Sequence, residues 1–570
     1  MSASTNNIAN YLQQWQAEPE RVLYRRFDGN ATLWTDIDTK ALLAACSRWQ
    51  AAFTTAGLVA GDKVAICARN SVPWVEVDMA ALGLGLVVVP LYVDDNASNI
   101  GYCVAHSEAK LLIVDNARIA NALQATEHTM PPIWLLKTDE AAIMAASLAA
   151  GQSSAEQKLI ESAETASAYQ CLAVEKNTLA TICYTSGTGG RPKGVMLSHG
   201  NICANVAACV SLGIARADDV FLSFLPLSHM FERTGGYYLP LAVGATVAHA
   251  RSVATLPDDL ISQQPTALFA VPRIFEKFYA RITGAMAESK LKNALFHATV
   301  NCGWAIHQGE ANIFQKMAYA ALRPIIAKKV LARMGGRLRL AVAGGAALEK
   351  GIAQTFIGLG LPVLHGYGMT EASPVIAVNL IQGNVPESVG PALPGIQVRL
   401  GEHNELQVLG DNVMMGYWNN PEATAASLGA GGWLHTGDVA EMIDGRIYIR
   451  GRIKDILVLS NGEKCPPQNM ELAISGDDTF EQVMLVGEAR PFLTVIAVTQ
   501  SQAAEKELLK RINDRLKEFP RWMRVRKLIT STEAWTVDNA MLTPTMKVKR
   551  ANVLKHFEGQ LNSIYNESSD

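Results

Sequence analysis

The sequence has no apolar run long enough to cross a membrane as a helix. Its longest uncharged apolar run, Met79–Val93, contains Pro90 and is 15 residues long, whereas a spanning helix needs about 20 residues. The first sixteen residues are polar and lack the cationic start and apolar stretch of a secretory signal. These absences predict a cytoplasmic location, with peripheral contact at the inner face of the membrane as an open alternative.

Clustered cysteines and an excess of one charge are also missing. The nine cysteines form no CxxC pair and no Cys/His group at zinc spacing, which favours reduced thiols in or near the core. Fifty Lys and Arg against 53 Asp and Glu give a net charge of −3, so nothing indicates a nucleic-acid partner. Residues 506–527, with nine basic and three acidic side chains, are a local exception. We expect a solvated helix face there, with an anionic ligand or membrane as the alternative.

What the sequence does contain is a regular alternation of elements. Short apolar strands, at Asp62–Ala68, Leu86–Tyr92 and Lys110–Asp115, alternate with segments of helical spacing. This pattern predicts a parallel sheet covered by helices. Glu140–Ala168, rich in Ala, Ser, Gln and Glu, predicts a surface insert.

The pattern of predicted secondary structure changes near the C-terminal third of the chain. After about Pro394, short strands separated by turns indicate a small β-rich subdomain, and a compact α+β segment of about 120 residues follows. The predicted fold class is therefore α/β. A large N-terminal domain of several subdomains, residues 1–452, combines parallel sheets, helices and the small β subdomain. A small mobile α+β domain, residues 453–570, follows it.

A loop of small residues, hydroxyls and one lysine follows the apolar run Leu179–Cys183. Residues 184–194 have the sequence Tyr-Thr-Ser-Gly-Thr-Gly-Gly-Arg-Pro-Lys-Gly. Glycines allow backbone N–H groups to approach oxygens closely, hydroxyls donate further bonds, and lysine adds positive charge. The loop is not a Walker A motif, because Lys193 follows a proline and precedes a glycine. It predicts a nucleotide triphosphate site of another design.

Further segments combine glycines with polar or charged side chains. Each is weak alone, because a turn glycine beside an acid is structural in most proteins. They are His365–Glu371, Gly344–Ala347, Gly432–Asp438, Gly451–Asp455 and Leu542–Arg550.

Together, the order and spacing of these motifs resemble the adenylate-forming superfamily of acyl-CoA synthetases, peptide-synthetase adenylation domains and luciferases. The resemblance covers roughly residues 20–555. Within it, Leu225–Glu232, Val271–Tyr279 and Ser460–Lys464 resemble the long-chain fatty acyl-CoA synthetase branch.

This resemblance implies a two-step ligase that uses ATP and Mg²⁺, with a fatty acid and coenzyme A as the other substrates. The acid attacks the α-phosphorus to give acyl-AMP and pyrophosphate, and CoA then displaces AMP to give the thioester. Delivery to an acyl-carrier protein is the alternative acceptor, and a non-catalytic acyl or nucleotide sensor is a remote alternative. Relatives of this kind include homodimers, so a homodimer is a further partner to test.

The resemblance also assigns the triphosphate and metal positions. Lys193 would hold the β- and γ-phosphates with the loop before it. Thr370 would bond the α-phosphate, and Thr188 and Glu371 would ligate Mg²⁺, a hard cation that prefers oxygen. The assigned loop residues are Ser186, Gly187, Thr188 and Gly190.

The nucleoside positions follow in the same way. Gly345, Ala346 and Tyr367, with the neighbouring Gly368, would enclose adenine. Asp438 would accept the ribose hydroxyls.

Four basic residues complete the implied site. Arg452 lies near Asp438, and Lys547 would bridge the fatty carboxylate and the α-phosphate during adenylation. Lys454 matches a hinge about which the small domain rotates between the two steps, and His229 matches a gate at the acyl and thiol entrances. The alternative interpretation is that His229 is a packed histidine with a structural role only.

One residue departs from the family pattern. Gly189 stands where a second threonine is usual, which removes one phosphate donor and adds backbone freedom. We expect that Gly189→Thr does not harm adenylation.

Overall fold

The computed structural model describes residues 6–29, 32–136, 152–185, 191–537, 539–543 and 547–566. The chain divides into two compact units. The first comprises the chain up to Thr185, Pro192–Gln397 and Val408–Leu434, and the second comprises Val398–Gln407 and the chain from His435 onward. This division falls before the domain boundary expected between residues 452 and 453, which stays a prediction.

Two eight-stranded sheets form the frame of the first unit. Its strands are β1 (Val22–Asp28), β2 (Leu33–Asp38), β3 (Lys63–Cys67), β4 (Val87–Pro90), β5 (Leu111–Val114), β6 (Ile133–Leu135), β7 (Ser153–Ser154), β8 (Leu179–Thr185), β9 (Lys193–Ser198), β10 (Val220–Ser223), β11 (Thr246–His249), β12 (Ala267–Ala270), β13 (Leu340–Ala343), β14 (Val363–Gly368) and β15 (Val375–Val378).

The first sheet has the order β15-β14-β13-β12-β10-β11-β1-β2. It is parallel apart from its antiparallel edge strands β15 and β2. The second sheet, which takes in a further strand at Gly416–Tyr417, begins with that strand and continues β9-β8-β4-β3-β5-β6-β7. Strands β4, β5, β12 and β13 are buried along their whole length, as expected for parallel strands covered on both faces.

Helices cover these sheets, and side-chain caps fix where several of them begin. Asp38 accepts a hydrogen bond from the backbone of Ala41, and Ser198 forms a capping box with Asn201. The helices of the first unit are α1 (Asn10–Gln13), α2 (Thr39–Thr55), α3 (Val72–Gly83), α4 (Ala97–His106), α5 (Ala117–Gln124), α6 (Ala155–Glu161), α7 (His199–Ser211), α8 (Met230–Glu232), α9 (Leu239–Val243), α10 (Leu256–Gln263), α11 (Pro272–Ala287), α12 (Lys290–Gln308), α13 (Ile313–Leu322), α14 (Lys328–Ala332), α15 (Lys350–Gly358) and α16 (Pro421–Ser427). Two π-helical segments interrupt this series, at Arg233–Tyr238 and Arg323–Ala327.

The first π-helix carries a fully buried ion pair. Arg233 pairs with Asp78 of α3, and neither side chain is exposed. Tyr237 and Tyr238 each donate to the same Asp78 oxygen at 3.0 Å, and Arg233 also donates to Thr181 of β8 at 2.8 Å. Hydrogen bonds therefore compensate most of this buried pair, as such a pair requires, although Arg233 Nε lacks a partner among the described residues.

The second unit is smaller and mixes strands with helices. A four-stranded sheet, whose residues fall almost entirely in this unit, has the order β16-β17-β19-β20, and a three-stranded sheet has the order β23-β24-β25. The strands from β16 on are β16 (Gln397–Leu400), β17 (Glu405–Leu409), β18 (Gly416–Tyr417, in the first unit), β19 (Leu434–Ile443), β20 (Arg446–Arg452), β21 (Leu457–Val458), β22 (Lys464–Cys465), β23 (Gln482–Val486), β24 (Leu493–Val498) and β25 (Val525–Ser531). The helices are α17 (Pro467–Ser475), α18 (Glu505–Arg515), α19 (Arg550–His556) and α20 (Glu558–Asn566).

The predicted α/β class is confirmed, and the alternating strands lie within a residue or two of their expected positions. The expected insert Glu140–Ala168 is wrong in part. Its residues 140–151 lie outside the described residues, but Ser153–Ser154 pairs with β6 and Ala155 is 2 % exposed. This part of the chain therefore adds a short edge strand to the second sheet. All nine cysteines are free thiols, six of them buried.

Within the described ranges, no helix is both long and apolar enough to cross a membrane.

Candidate functional site

The expected phosphate loop joins two paired strands. β8 ends at Thr185, which faces Lys193 at the start of β9 across an antiparallel ladder. Ser186, Gly187, Thr188, Gly189 and Gly190 lie outside the described residues, so their phosphate contacts stay a prediction. Lys193 is exposed, and its Nζ lies 5.0 Å from the centre of the Tyr417 ring.

The segment that carries Glu371 begins as a strand. β14 continues past its apolar start, through His365 to Gly368, because it pairs with β15 on its far side. A Cβ on Gly368 would lie 2.0 Å from the carbonyl oxygen of Pro374, so only glycine permits this approach. A short 3-10 turn, Thr370–Ala372, then places Thr370 and Glu371 beyond the end of the strand.

Tyr417 holds the Glu371 side chain in place. Its hydroxyl donates to Glu371 Oε1 at 2.8 Å, and the ring is 7 % exposed. Burial, together with the neighbouring Glu371 carboxylate, raises the pKa of Tyr417, so the hydroxyl keeps its proton and remains a donor. Because the same ring lies beneath Lys193, Tyr417 brings the predicted phosphate lysine and the predicted metal carboxylate together.

Sequence reasoning missed Tyr417. Its signal in the sequence is an aromatic pair after Gly416, a pattern too common to indicate a site. Its importance comes from β18, which pairs with β9 and so sets the ring between two motifs that are far apart in sequence.

The structure also brings the two predicted adenine segments together. Gly345 and Ala346 follow β13 and are exposed, and Gly345 has φ +83°, which favours glycine. His365 Nε2 lies 3.2 Å from the carbonyl oxygen of Ala346, which joins this turn to β14, where Tyr367 is partly exposed. Small side chains beside a half-exposed tyrosine leave room for a flat ring.

His229 has a structural role in the described geometry. It precedes α8 and its Nδ1 accepts a hydrogen bond from the backbone N–H of Phe231 at 3.2 Å. The side chain is half-buried. The alternative interpretation, a packed structural histidine, therefore explains the position of one ring nitrogen. The gate role stays a prediction.

Asp438 and Arg452, in the second unit, form an ion pair. They are directly opposite in the β19–β20 ladder, and Arg452 Nε donates to Asp438 Oδ1 at 3.0 Å. The Asp438 side chain is 7 % exposed and that of Arg452 is 43 % exposed. The expected ribose acceptor is thus a largely buried carboxylate on the inner strand β19, held by the partly exposed arginine that was predicted to lie beside it.

The remaining predicted lysines of this unit are both exposed. Lys454 lies in a 3-10 turn, Ile453–Asp455, directly after β20. The backbone N–H of Thr543 donates to the carbonyl oxygen of Lys547 at 2.8 Å, and the N–H of Lys547 donates to Thr543 Oγ1 at 3.0 Å. The backbone of Lys547 is therefore fixed while its side chain extends towards solvent.

Of the two predicted magnesium ligands, Glu371 and Thr188, Glu371 alone lies within the described residues. Glu371 supplies a carboxylate, the type of ligand that Mg²⁺ prefers. Tyr417 orients this carboxylate from behind, as partners of metal ligands commonly do.

Curated relatives match almost the entire chain. Long-chain-fatty-acid–CoA ligase FadD15 of Mycobacterium bovis is 28 % identical over 99 % of this chain and 97 % of its own length. Human long-chain-fatty-acid–CoA ligase 1 is 29 % identical over 88 % of this chain and 78 % of its own. A chloroplastic long-chain-fatty-acid–acyl-carrier-protein ligase of Arabidopsis thaliana is 27 % identical over 89 % of this chain and 80 % of its own.

Solved structures share the fold. ATP-bound MatB from Rhodopseudomonas palustris superposes with a TM-score of 0.72 at 22 % identity, over 97 % of this chain and 99 % of that one. The adenylation domain of a carboxylate reductase from Mycobacterium chelonae gives a TM-score of 0.77 at 20 % identity, over 98 % and 90 %. The model of the AMP-binding enzyme family matches residues 12–418, and that of the AMP-binding enzyme C-terminal domain matches residues 454–569. The chain therefore belongs to the AMP-binding enzyme family, as its motifs predicted.

Proposed function

We propose that this protein activates a long-chain fatty acid with ATP and transfers the acyl group to coenzyme A. The observation that carries the proposal is the Tyr417-centred grouping of Glu371 and Lys193 in the first unit. This grouping provides a fixed carboxylate to bind a metal ion and a cation to bind phosphate. The names of the curated relatives support the acid–CoA ligase activity and the long-chain substrate.

In the first step, a fatty carboxylate oxygen attacks the α-phosphorus of ATP, and the bond to pyrophosphate breaks. Negative charge builds on the phosphate oxygens, so catalysis depends on positioning and charge neutralisation. Lys193 would hold the β- and γ-phosphates, Thr370 the α-phosphate, and Lys547 would bridge the two anions. Mg²⁺ would be held by Glu371 and Thr188, and when bound it neutralises charge on the phosphates.

The nucleoside half would be held by residues that do not react. Gly345, Ala346 and Tyr367 would enclose adenine, and Asp438 would accept the ribose hydroxyls. In the second step, a thiolate attacks the acyl carbonyl carbon and AMP leaves with the bonding electron pair. Thiols ionise partly near neutral pH, so this step needs no dedicated base.

An acyl-carrier protein is the second candidate acceptor. The observation in its favour is the relative from Arabidopsis thaliana that is named an acyl-carrier-protein ligase. Both acceptors present a thiol to the same acyl-AMP, so the first step does not distinguish them.

One assay tests the proposal. The protein is mixed with ATP, Mg²⁺ and fatty acids of graded chain length, and pyrophosphate release is followed with and without CoA. We expect release with long-chain acids, and acyl-CoA when CoA is present. Absence of pyrophosphate with every acid would refute the proposed enzyme activity. Acyl-AMP that accumulates although CoA is present would favour a carrier protein as the acceptor.

A further inference from the structure

Helix α13 has a large apolar surface that faces solvent. None of its residues is buried, although a helix with apolar residues on all sides is normally enclosed. Ile313, Phe314 and Met317 are 64 %, 77 % and 64 % exposed, and Ile325 in the following π-helix is 52 % exposed. Such a concentration of exposed apolar side chains on one helix indicates an interaction surface.

The opposite side of the same helix is anchored in the first unit. Ile326, in the π-helix that follows α13, is 9 % exposed and belongs to the core cluster around β12 and β13. The Tyr319 ring packs closely against Gly303 of α12, where an added Cβ would lie 2.7 Å from the ring. Positions 313, 317, 321 and 325 recur at helical spacing on the other side. The helix is therefore fixed in orientation, with its apolar outer face permanently presented.

The segment that forms this face carries mostly positive charge, and the exposed Glu310 directly precedes it. Residues 311–348 contain seven Lys and Arg and no Asp or Glu. Six of the seven are exposed, while Arg339 is half-buried and paired with Asp219. The seven residues are Lys316, Arg323, Lys328, Lys329, Arg333, Arg337 and Arg339.

We propose that this outer face, formed by α13, the π-helix Arg323–Ala327 and α14, docks on an anionic lipid bilayer. Apolar side chains flanked by Lys and Arg are the features that hold a helix at an anionic lipid interface. A second copy of the chain is disfavoured because two such faces would bring like charges together. The inference goes beyond the proposed function, but it suits that function because long-chain acids partition into bilayers.

The other basic segment of the chain lacks this combination. In α18, Leu508 and Ile512 point into the second unit and are buried, and Arg511 is paired with Asp477. Trp522 is a large apolar side chain of this segment that is exposed, at 37 %. Residues 506–527 therefore provide cations beside less exposed apolar surface than α13 has, and they serve as the comparison.

Sedimentation of the full chain with lipid vesicles tests the proposal. Vesicles of phosphatidylglycerol mixed with phosphatidylcholine should bind the protein, and vesicles of phosphatidylcholine alone should bind at least about tenfold less, since each basic residue near an anionic surface adds to affinity. Raising NaCl from about 0.05 to 0.5 M should weaken binding because salt screens the charges. No substrate is present, so this result is independent of the proposed enzyme activity.

Two matched pairs of variants locate the surface. The double variant Phe314→Ser, Met317→Ser should lose at least about tenfold in partitioning, because interfacial binding scales with apolar area. Val59→Ser with Ile160→Ser, which alters side chains that are 62 % and 67 % exposed elsewhere, should bind as wild type does. Lys328→Glu with Lys329→Glu should weaken binding, and Lys506→Glu with Lys510→Glu should not.

Sedimentation velocity and circular dichroism complete the test. All of these side chains are exposed, so the variants should fold as wild type does. Equal loss of binding in the two serine pairs, or loss in the 506/510 pair alone, would overturn the proposal. A dimer that the Phe314 and Met317 changes dissociate would also overturn it, because a second copy of the chain would then cover this face.

Discussion

At the scale of single residues, Lys547 is the sharpest test of the chemistry. Its backbone is fixed by two hydrogen bonds to Thr543, while its side chain is exposed. Lys547→Ala should lower acyl-AMP formation by about 10²–10³-fold, the usual loss when one preorganised donor to a developing charge is removed. Thioester formation from supplied acyl-AMP should persist, because the lysine is needed only before pyrophosphate leaves.

The control for this change is Lys555→Ala, another exposed lysine of the same unit. It should leave both half-reactions unchanged. Equal loss of both half-reactions in the Lys547 variant would refute an adenylation-specific role.

Tyr417 gives a second prediction at this scale. Tyr417→Phe removes the hydroxyl that fixes Glu371 Oε1, and partners of this kind commonly contribute about 10–100-fold to metal affinity. The Mg²⁺ concentration for half-maximal pyrophosphate release should rise by about tenfold or more, with the maximal rate largely recovered at high Mg²⁺. Tyr448→Phe, at a tyrosine of β20 in the second unit, should not shift it. A loss that no amount of Mg²⁺ recovers would exclude this positioning role.

These residues also show which parts of the site could be predicted from the sequence. Glu371, Asp438 and Arg452 could be named because each lies in a short motif with a characteristic order. Tyr417 could not, because its role depends on the pairing of β18 with β9, which only the folded chain displays. His229 was flagged by its motif, but its capping bond to Phe231 depends on the turn into α8.

At the scale of elements, local pattern predicted the parallel strands because burial on both faces makes them short apolar runs. It did not predict that β14 extends through Gly368, since the glycines and His365 lower strand propensity. Pairing with β15 decides that boundary. The pair β1 and β2 escaped notice for a similar reason, since its pattern of burial is mixed.

The turn from α8 into the first π-helix buries a carboxyl group, and this gives a prediction about pH. Glu232 is 1 % exposed, and the Ser223 side chain and the Phe224 backbone offset only part of its lost hydration. Burial raises the pKa of Glu232 from 4.5 to about 8. Between these values the unfolded chain has released this proton while the folded chain retains it. Stability should therefore fall as the pH rises through this window, by up to about 1.4 kcal/mol per pH unit.

Glu232→Gln should remove this slope because an amide does not titrate. Urea unfolding at pH values from 5 to 9 measures it, as the difference in unfolding free energy between wild type and variant. Glu156→Gln, at an exposed position of α6, should leave the slope unchanged. Parallel curves for wild type and the Glu232 variant would show that this carboxyl does not titrate between folded and unfolded states.

At the scale of the whole molecule, each unit has its own hydrophobic core. The first is organised around its two large sheets and the second around the β23-β24-β25 sheet. Separate cores allow two units to move as bodies, and such motion is the usual way for one site to run two chemistries in turn. Sequence motifs indicate which residues of each unit belong to the predicted site. They do not show which strands and helices pack together to form these cores.

The hinge role expected for Lys454 tests this view. Lys454→Pro fixes φ near −65°, removes a backbone N–H and restricts Ile453 as well. If rotation about this turn separates the two steps, acyl-AMP formation should change little while thioester formation falls by about tenfold or more. Stopped-flow measurement of pyrophosphate release and of acyl-CoA from supplied acyl-AMP separates the two. Ala504→Pro is the matched control, because Ala504 has φ −62° at the start of α18 and accepts proline without strain. A variant that loses both steps equally, or neither, would place the hinge elsewhere in the chain.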